Sequence, residues 1–176
     1  FDAGPVRTAV LTDPQGAVML AYHRDDVRDL NAAAHRLMLA HGLLGPESIT
    51  VGDREFRVGD RVLCRRNHLA LGVRNGTRGT VEAVDPDRST LTVLTDRGES
   101  AELGRSYLAA GHVRHGYALT GHSAQGVTVD RAFVLESSND QPARLVLDLA
   151  AVDREAFLRA IALENRAPDP GSKREP

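Results

Sequence analysis

Between Gly116 and Leu135 the chain runs from an apolar strand through a polar turn into a second apolar strand. It reads Tyr117-Ala118-Leu119-Thr120, then Gly121-His122-Ser123-Ala124-Gln125-Gly126, and later Ala132-Phe133-Val134-Leu135. A turn of this kind at a strand end gathers side-chain donors and bare backbone N–H groups at one spot, which is the chemistry of holding a phosphate. Thr120 supplies a hydroxyl, His122 and Gln125 can donate hydrogen bonds, and Gly126 lets backbone approach a ligand.

A second α/β signal lies upstream. Ala17-Val18-Met19-Leu20-Ala21-Tyr22 is a short continuous apolar run and reads as a buried strand. Asp25 or Asp26 then suits a helix cap. Val27, Leu30, Ala34, Leu37, Met38 and His41 recur at helical spacing up to the stop at Gly42. Arg24 falls where the strand ends and the helix begins, a place where sheets of this kind bind ligands, so it is a candidate nucleotide contact.

The segment from Ile49 to about Leu103 has a different character, with short strands punctuated by Gly52-Asp53, Gly59-Asp60, Asp85-Pro86-Asp87 and Asp96-Arg97-Gly98. This even spacing predicts a small antiparallel barrel. A barrel inserted into an α/β domain explains the order, with strands 17–22, 116–120 and 132–135 sharing one parallel sheet. Pro142 and the polar run 137–140 break the chain. Residues 152–164 are expected to form a last helix, and the Pro-rich, charged segment from Ala167 is expected to be disordered.

Composition excludes several classes. The 176 residues carry a net charge of −2, which argues against a uniformly basic surface and leaves room for a local basic groove. Arg65, Arg66, Asn67, His68, Arg74, Asn75 and Arg78 flank one predicted hairpin and could form such an edge. The single cysteine, Cys64, rules out an internal disulfide and reads as a small apolar filler. His112 and His115 have no pattern of metal ligands around them, and no metal is expected. No apolar run approaches the ~20 residues of a membrane span, so a cytoplasmic protein is expected. The chain starts at Phe1 without an initiator Met and reads as an excised or processed piece.

Three separated motifs, in order, carry a family resemblance. They are the strand and helix with Leu30-Asn31, then Gly59-Asp60-Arg61-Val62 with Asn67 and the run Leu71 to Val81, then the run from Gly116. Over roughly residues 15–136 the chain resembles the C-terminal motor half of RecD-like superfamily 1B DNA helicases, closest to the helicase part of MobF-type conjugative relaxases. The resemblance implies a second RecA-like motor domain of the P-loop type with an inserted SH3-like barrel. Its parts would be 1–46 and 111–165 for the motor domain, 47–110 for the barrel and 166–176 for the tail. The turn would be helicase motif V. By the same resemblance Thr120, His122 and Ser123 would meet single-stranded DNA, with Asn75, Gly76, Thr77, Arg65 and Asn67 beside it. Gln125, Gly126 and Arg24 would face the nucleotide.

The departures shape the expected activity. Ser123 stands where the family usually has Lys, and Gly121 replaces a β-branched residue. No Gly-x-x-x-x-Gly-Lys-Ser/Thr loop occurs in the sequence, and no arginine-finger motif follows Leu135. ATP and Mg are therefore expected of the intact motor, together with an N-terminal RecA-like partner domain. This piece alone is expected to bind single-stranded DNA weakly, without catalytic residues or ATP hydrolysis of its own. A rival reading is a non-catalytic interaction module built on the barrel. A serine hydrolase is a poorer rival. Gly121-His122-Ser123-Ala124 imitates a nucleophile elbow, but Gln125 occupies the position that needs Gly, and no His follows.

Overall fold

The computed structural model describes residues 4–138 and 141–150. The expected helix over 152–164 and the tail from Ala167 lie outside the described residues.

The core sheet takes the order β11-β10-β1-β9. Strands β1 (Ala17–Ala21), β9 (Ala118–Thr120) and β10 (Arg131–Ser138) run parallel, as the three apolar runs predict. Strand β11 (Gln141–Ala150) pairs antiparallel to β10, with register shifts along the ladder. It occupies a stretch that Pro142 and the polar run marked as a break.

Strand β1 is buried along its whole length, because both faces of the sheet are covered. Ala17 and Met19 point to one face, where helices α1 (Gly4–Thr12) and α2 (Arg24–Ala40) bring Val6, Val10, Ala34 and Met38. Val18 and Leu20 point to the other, where they meet Leu119, Ala124 of the turn and Leu63 of the insert. Helix α2 starts two residues earlier than a cap at Asp25 would allow. His23 is its N-cap, and Asp25 and Asp26 sit in the first turn, where the helix dipole favours acids.

Strand β9 is an edge strand, and Asn31 of α2 takes the place of a further neighbour. Its Oδ1 accepts from the N–H groups of Tyr117 and Ala118 at 3.0 Å each, and its Nδ2 donates to the Ala118 carbonyl at 2.9 Å. The strand that leads into the turn is thus hydrogen-bonded on both sides.

The insert is a hairpin laid over an antiparallel sheet. The hairpin is β2 (Ser48–Val51) and β3 (Arg54–Arg57). The sheet has the order β7-β6-β5-β4-β8, with β4 (Arg61–Cys64), β5 (Arg78–Asp85), β6 (Thr90–Thr95), β7 (Ser100–Leu103) and β8 (Val113–His115). A short helix, α3 (Arg105–Ala109), connects β7 to β8. Among the described residues no ladder joins β7 to β8, so the expected barrel does not close. The hairpin explains why closure is unnecessary. Ile49 and Phe56 cap the apolar face of the sheet and share one core with Val62, Val81, Leu91, Val93 and Leu103. Cys64 lies buried in that core as a free thiol, and desolvation pushes it up to about 11.

Two buried arginines fix the insert. Arg61 is 1% exposed and makes a two-pronged bond to Asp96, 2.7 Å to each oxygen, with Thr80 Oγ1 at 2.8 Å. Arg78 reaches out of the insert and donates to the carbonyl of Gly116 at 3.1 Å. Burial lowers its guanidinium to about 10. Gly116 itself lies against the insert: a Cβ there would come within 2.8 Å of the Val62 carbonyl.

Candidate nucleic-acid interface

The turn after β9 is built by its own hydroxyls. Thr120 Oγ1 donates to Ser123 Oγ at 3.0 Å and accepts from the Ser123 N–H at 3.2 Å. Ala124 N–H donates to the Thr120 carbonyl at 3.0 Å, and the Ala124 methyl is buried against β1. Burying Ala124 turns His122, Gln125 and Gly126 toward solvent. Gly126 has φ +82, a backbone conformation that suits glycine and ends the turn.

The insert touches this turn. Arg65, directly after β4, donates from Nη1 to Ser123 Oγ at 3.0 Å. Its backbone is held by a bond from its N–H to the His112 carbonyl at 2.7 Å. The contact follows from packing one residue pair deeper, because Leu63 and Ala124 share the apolar cluster over β1. A guanidinium therefore stands at Ser123, the position where the resembling family carries Lys.

Two clefts flank the turn. The first, of about 750 Å³, brings Thr120, His122, Ser123 and Arg65 together with Arg24. Its remaining cations are Arg28, Arg36, Arg54 and Arg114. Arg28 and Arg54 are paired with neighbouring aspartates. Arg24, Arg36, Arg65 and Arg114 form no salt bridge among the described residues. The crowding registers at Arg114, whose guanidinium is pushed below its ordinary value by burial and then by Arg54, Arg65 and Arg24. An anion entering here would relieve that repulsion.

The second cleft, of about 800 Å³, holds Asn75, Gly76 and Thr77 with Gln125 and Gly126. The expected DNA contacts are thus split by the turn. Thr120, His122, Ser123 and Arg65 lie on one side, and the loop 75–77 lies on the other. The expected nucleotide contacts are split as well, with Arg24 on the first side. Asn67 is a loop builder: its Oδ1 accepts from the Asn75 N–H at 2.8 Å. Phe56 and Tyr107, the Phe and Tyr of the insert, are buried and present no ring face to a base. The Tyr107 hydroxyl donates to the Arg66 carbonyl at 2.6 Å and so steadies the loop that carries Arg65.

A polar cluster between α2 and the insert has no counterpart among the sequence motifs. Asp60 is fully buried; its Oδ1 accepts from His35 Nδ1 at 2.9 Å and from the Tyr117 hydroxyl at 2.8 Å, and its Oδ2 accepts from the Arg57 N–H at 2.8 Å. His115 stacks on His35, with centroids 4.8 Å apart, and its Nε2 donates to the Glu55 carbonyl at 2.9 Å. Ligand atoms of His35, Asp60 and His115 lie within 4.8 Å of one another, close enough for a cation. Each is already hydrogen-bonded within the protein, so the cluster reads as a structural joint. The hydrogen bond that His35 donates to Asp60 is the main cause raising the His35 pKa, whereas burial lowers that of His115.

The fold is mixed α/β and resembles the RecA-like domains of solved Pif1 helicases. The crystal structure of a Pif1 helicase from Bacteroides, in complex with ADP-AlF3 and single-stranded DNA, matches 78% of this chain with 40% of its own at a TM-score of 0.52 and 18% identity. In sequence the chain is similar to the conjugal transfer protein TraA of Agrobacterium fabrum, 36% identical over 123 residues. It is likewise similar to a probable conjugal transfer protein TraA of Sinorhizobium fredii, 35% identical over 125 residues. Over the matched residues the chain belongs with these conjugal transfer proteins. Each match covers 68% of the chain and 11% of the relative's length. No family model matches. No helix among the described residues is long and apolar enough to cross a membrane.

Proposed function

We propose that this chain is the DNA-facing part of the second motor domain of an ATP-dependent single-stranded DNA translocase of conjugative-relaxase type. The carrying observation is the 3.0 Å bond between Arg65 and Ser123, which joins the insert to the turn beside a cleft where Arg24, Arg36, Arg65 and Arg114 form no salt bridge among the described residues. The sugar–phosphate chain would lie along that cleft, over Thr120, His122 and Ser123, at the carboxyl ends of the parallel strands. Asn75, Gly76 and Thr77, braced by Asn67, would guide it past the turn.

In the intact motor, Gln125 and Gly126 would face ATP and Mg supplied with an N-terminal RecA-like domain. Opening and closing of the two domains would then advance the strand. Arg24 shares the first cleft with Thr120 and Arg65, which supports a place for it on the DNA side in this reading, not the expected nucleotide side. As the resemblance implies, residues 1–46 and 111–165 would form the motor domain and 47–110 an SH3-like insertion, with β8 pairing onto the sheet of the insert. The shared core of hairpin and sheet supports that reading, although the ladder is open. The test is a titration of fluorescein-labelled oligothymidine with the 176-residue chain at low salt. Binding that weakens when Thr120 is replaced by Ala supports the proposal, and no binding contradicts it.

A further inference from the structure

We propose that Tyr22 is a base-stacking residue of the arginine-lined cleft, holding one unpaired base of a bound strand. The inference rests on the single-strand reading above and adds a contact that phosphate chemistry alone does not supply.

Three observations converge on it. First, Tyr22 is 61% exposed, whereas Phe56, Tyr107, Tyr117 and Phe133 are all buried. It is the exposed member among the described Phe and Tyr residues, and a solvent-facing ring costs hydrophobic stability unless something covers it. Second, its position is set by the sheet. Ala21 pairs with Thr120, so Tyr22 is the next residue past the register partner of the turn's first hydroxyl. Adjacent strands lie about 4.8 Å apart, within the span of one nucleotide. Third, Tyr22 lines the same cleft as Arg24, Arg36, Arg65 and Arg114. The His23 ring meets it edge-on, with centroids 5.0 Å apart at 88°.

Aromatic rings interleaved with unpaired cations are what a single strand needs: cations for the backbone and a π-face for a base. With Phe56 and Tyr107 of the insert buried, Tyr22 is the one Phe or Tyr among the described residues that lines the cleft. Stacking of this kind is sequence-tolerant, because every base presents a face.

The sequence has no tryptophan, so Tyr22→Trp creates a single reporter at the site. Oligothymidine should quench its fluorescence, and an oligonucleotide with abasic sites should quench it far less. Tyr22→Ala should weaken oligothymidine binding on the order of tenfold, and Tyr22→Phe should retain most of it. Salt-sensitive binding by the wild-type chain with no quenching in Tyr22→Trp and no loss in Tyr22→Ala overturns the stacking role and leaves the phosphate cleft standing. Quenching by ATP but not by oligothymidine also overturns it. No binding by the wild-type chain overturns both readings.

Discussion

Arg65 and Ser123 lie 58 positions apart and are joined by a 3.0 Å hydrogen bond across the boundary between insert and core. The bond makes the turn and the insert one surface. Arg65 is exposed apart from this contact, so its charge remains available to a phosphate. Arg65→Ala should weaken oligothymidine binding and lower the slope of log affinity against log salt by about 0.7, the share of one phosphate on a single strand. Thermal unfolding should move little. An unchanged salt slope would remove Arg65 from the interface.

The Asn31 side chain bonds the outer edge of β9 through both Tyr117 and Ala118. Asn31→Ala strands buried backbone groups and should cost on the order of 2–3 kcal/mol in urea unfolding. Asn31→Asp keeps the acceptor but turns a carboxylate oxygen toward the Val27 and Ala118 carbonyls that the amide served, so it should be at least as damaging as Asn31→Ala at neutral pH. A loss below about 0.5 kcal/mol would show that water replaces the amide.

Gly116 leaves no room for a side chain, with the Val62 carbonyl 2.8 Å from where a Cβ would stand. Gly116→Ala should force β9 away from β4 and cost about 1–3 kcal/mol. Gly76→Ala meets nothing within 4 Å and should cost only the strain of its φ of +92, on the order of 1–2 kcal/mol. Equal and negligible losses at both sites would contradict the close packing of insert and core.

The joint between α2 and the insert gives stability a pH dependence with two opposing parts. His35 has a raised folded pKa, mainly through its bond to Asp60, against the burial that lowers it. Its contribution is full below the unfolded value of about 6.5 and is lost as pH rises through the higher folded value. His115 is lowered by burial, so its contribution is present above about 6.5 and is lost as pH falls through the lower folded value. The melting temperature gap between wild type and His35→Gln should therefore be wider at pH 5.5 than at pH 8. A gap independent of pH would mean that His35 does not gain a proton-linked partner on folding. Asp60→Ala should be the most damaging change in the cluster, about 3–5 kcal/mol, because it leaves His35, Tyr117 and the Arg57 N–H without their shared acceptor.

Local pattern made much of the fold legible. The apolar runs at 17–22, 117–120 and 132–135 do form parallel neighbours, and the helical spacing after Asp26 gives α2. The turn signals Gly52-Asp53, Gly59-Asp60, Asp85-Pro86-Asp87 and Asp96-Arg97-Gly98 fall next to the ends of β2, β3, β5 and β6. What escaped depends on partners far away in sequence. Strand β11 is read against its own Pro142 and becomes a strand by pairing with β10. Arg61 and Arg78 look like surface charges until Asp96 and the Gly116 carbonyl receive them. The His35, Asp60 and His115 joint spans three elements, and nothing in local spacing links them. Tyr22 read as the last residue of a buried strand, and only the end of β1 at Ala21 leaves its ring outside.

The insert and the turn should meet one ligand together. Amide hydrogen exchange of the 176-residue chain, with and without saturating oligothymidine at low salt, reads both at once. Added strand should slow exchange over 120–126 and 65–68 together, while β6 and β7 stay unchanged. Slowing in one of these segments without the other, or in neither, would contradict it.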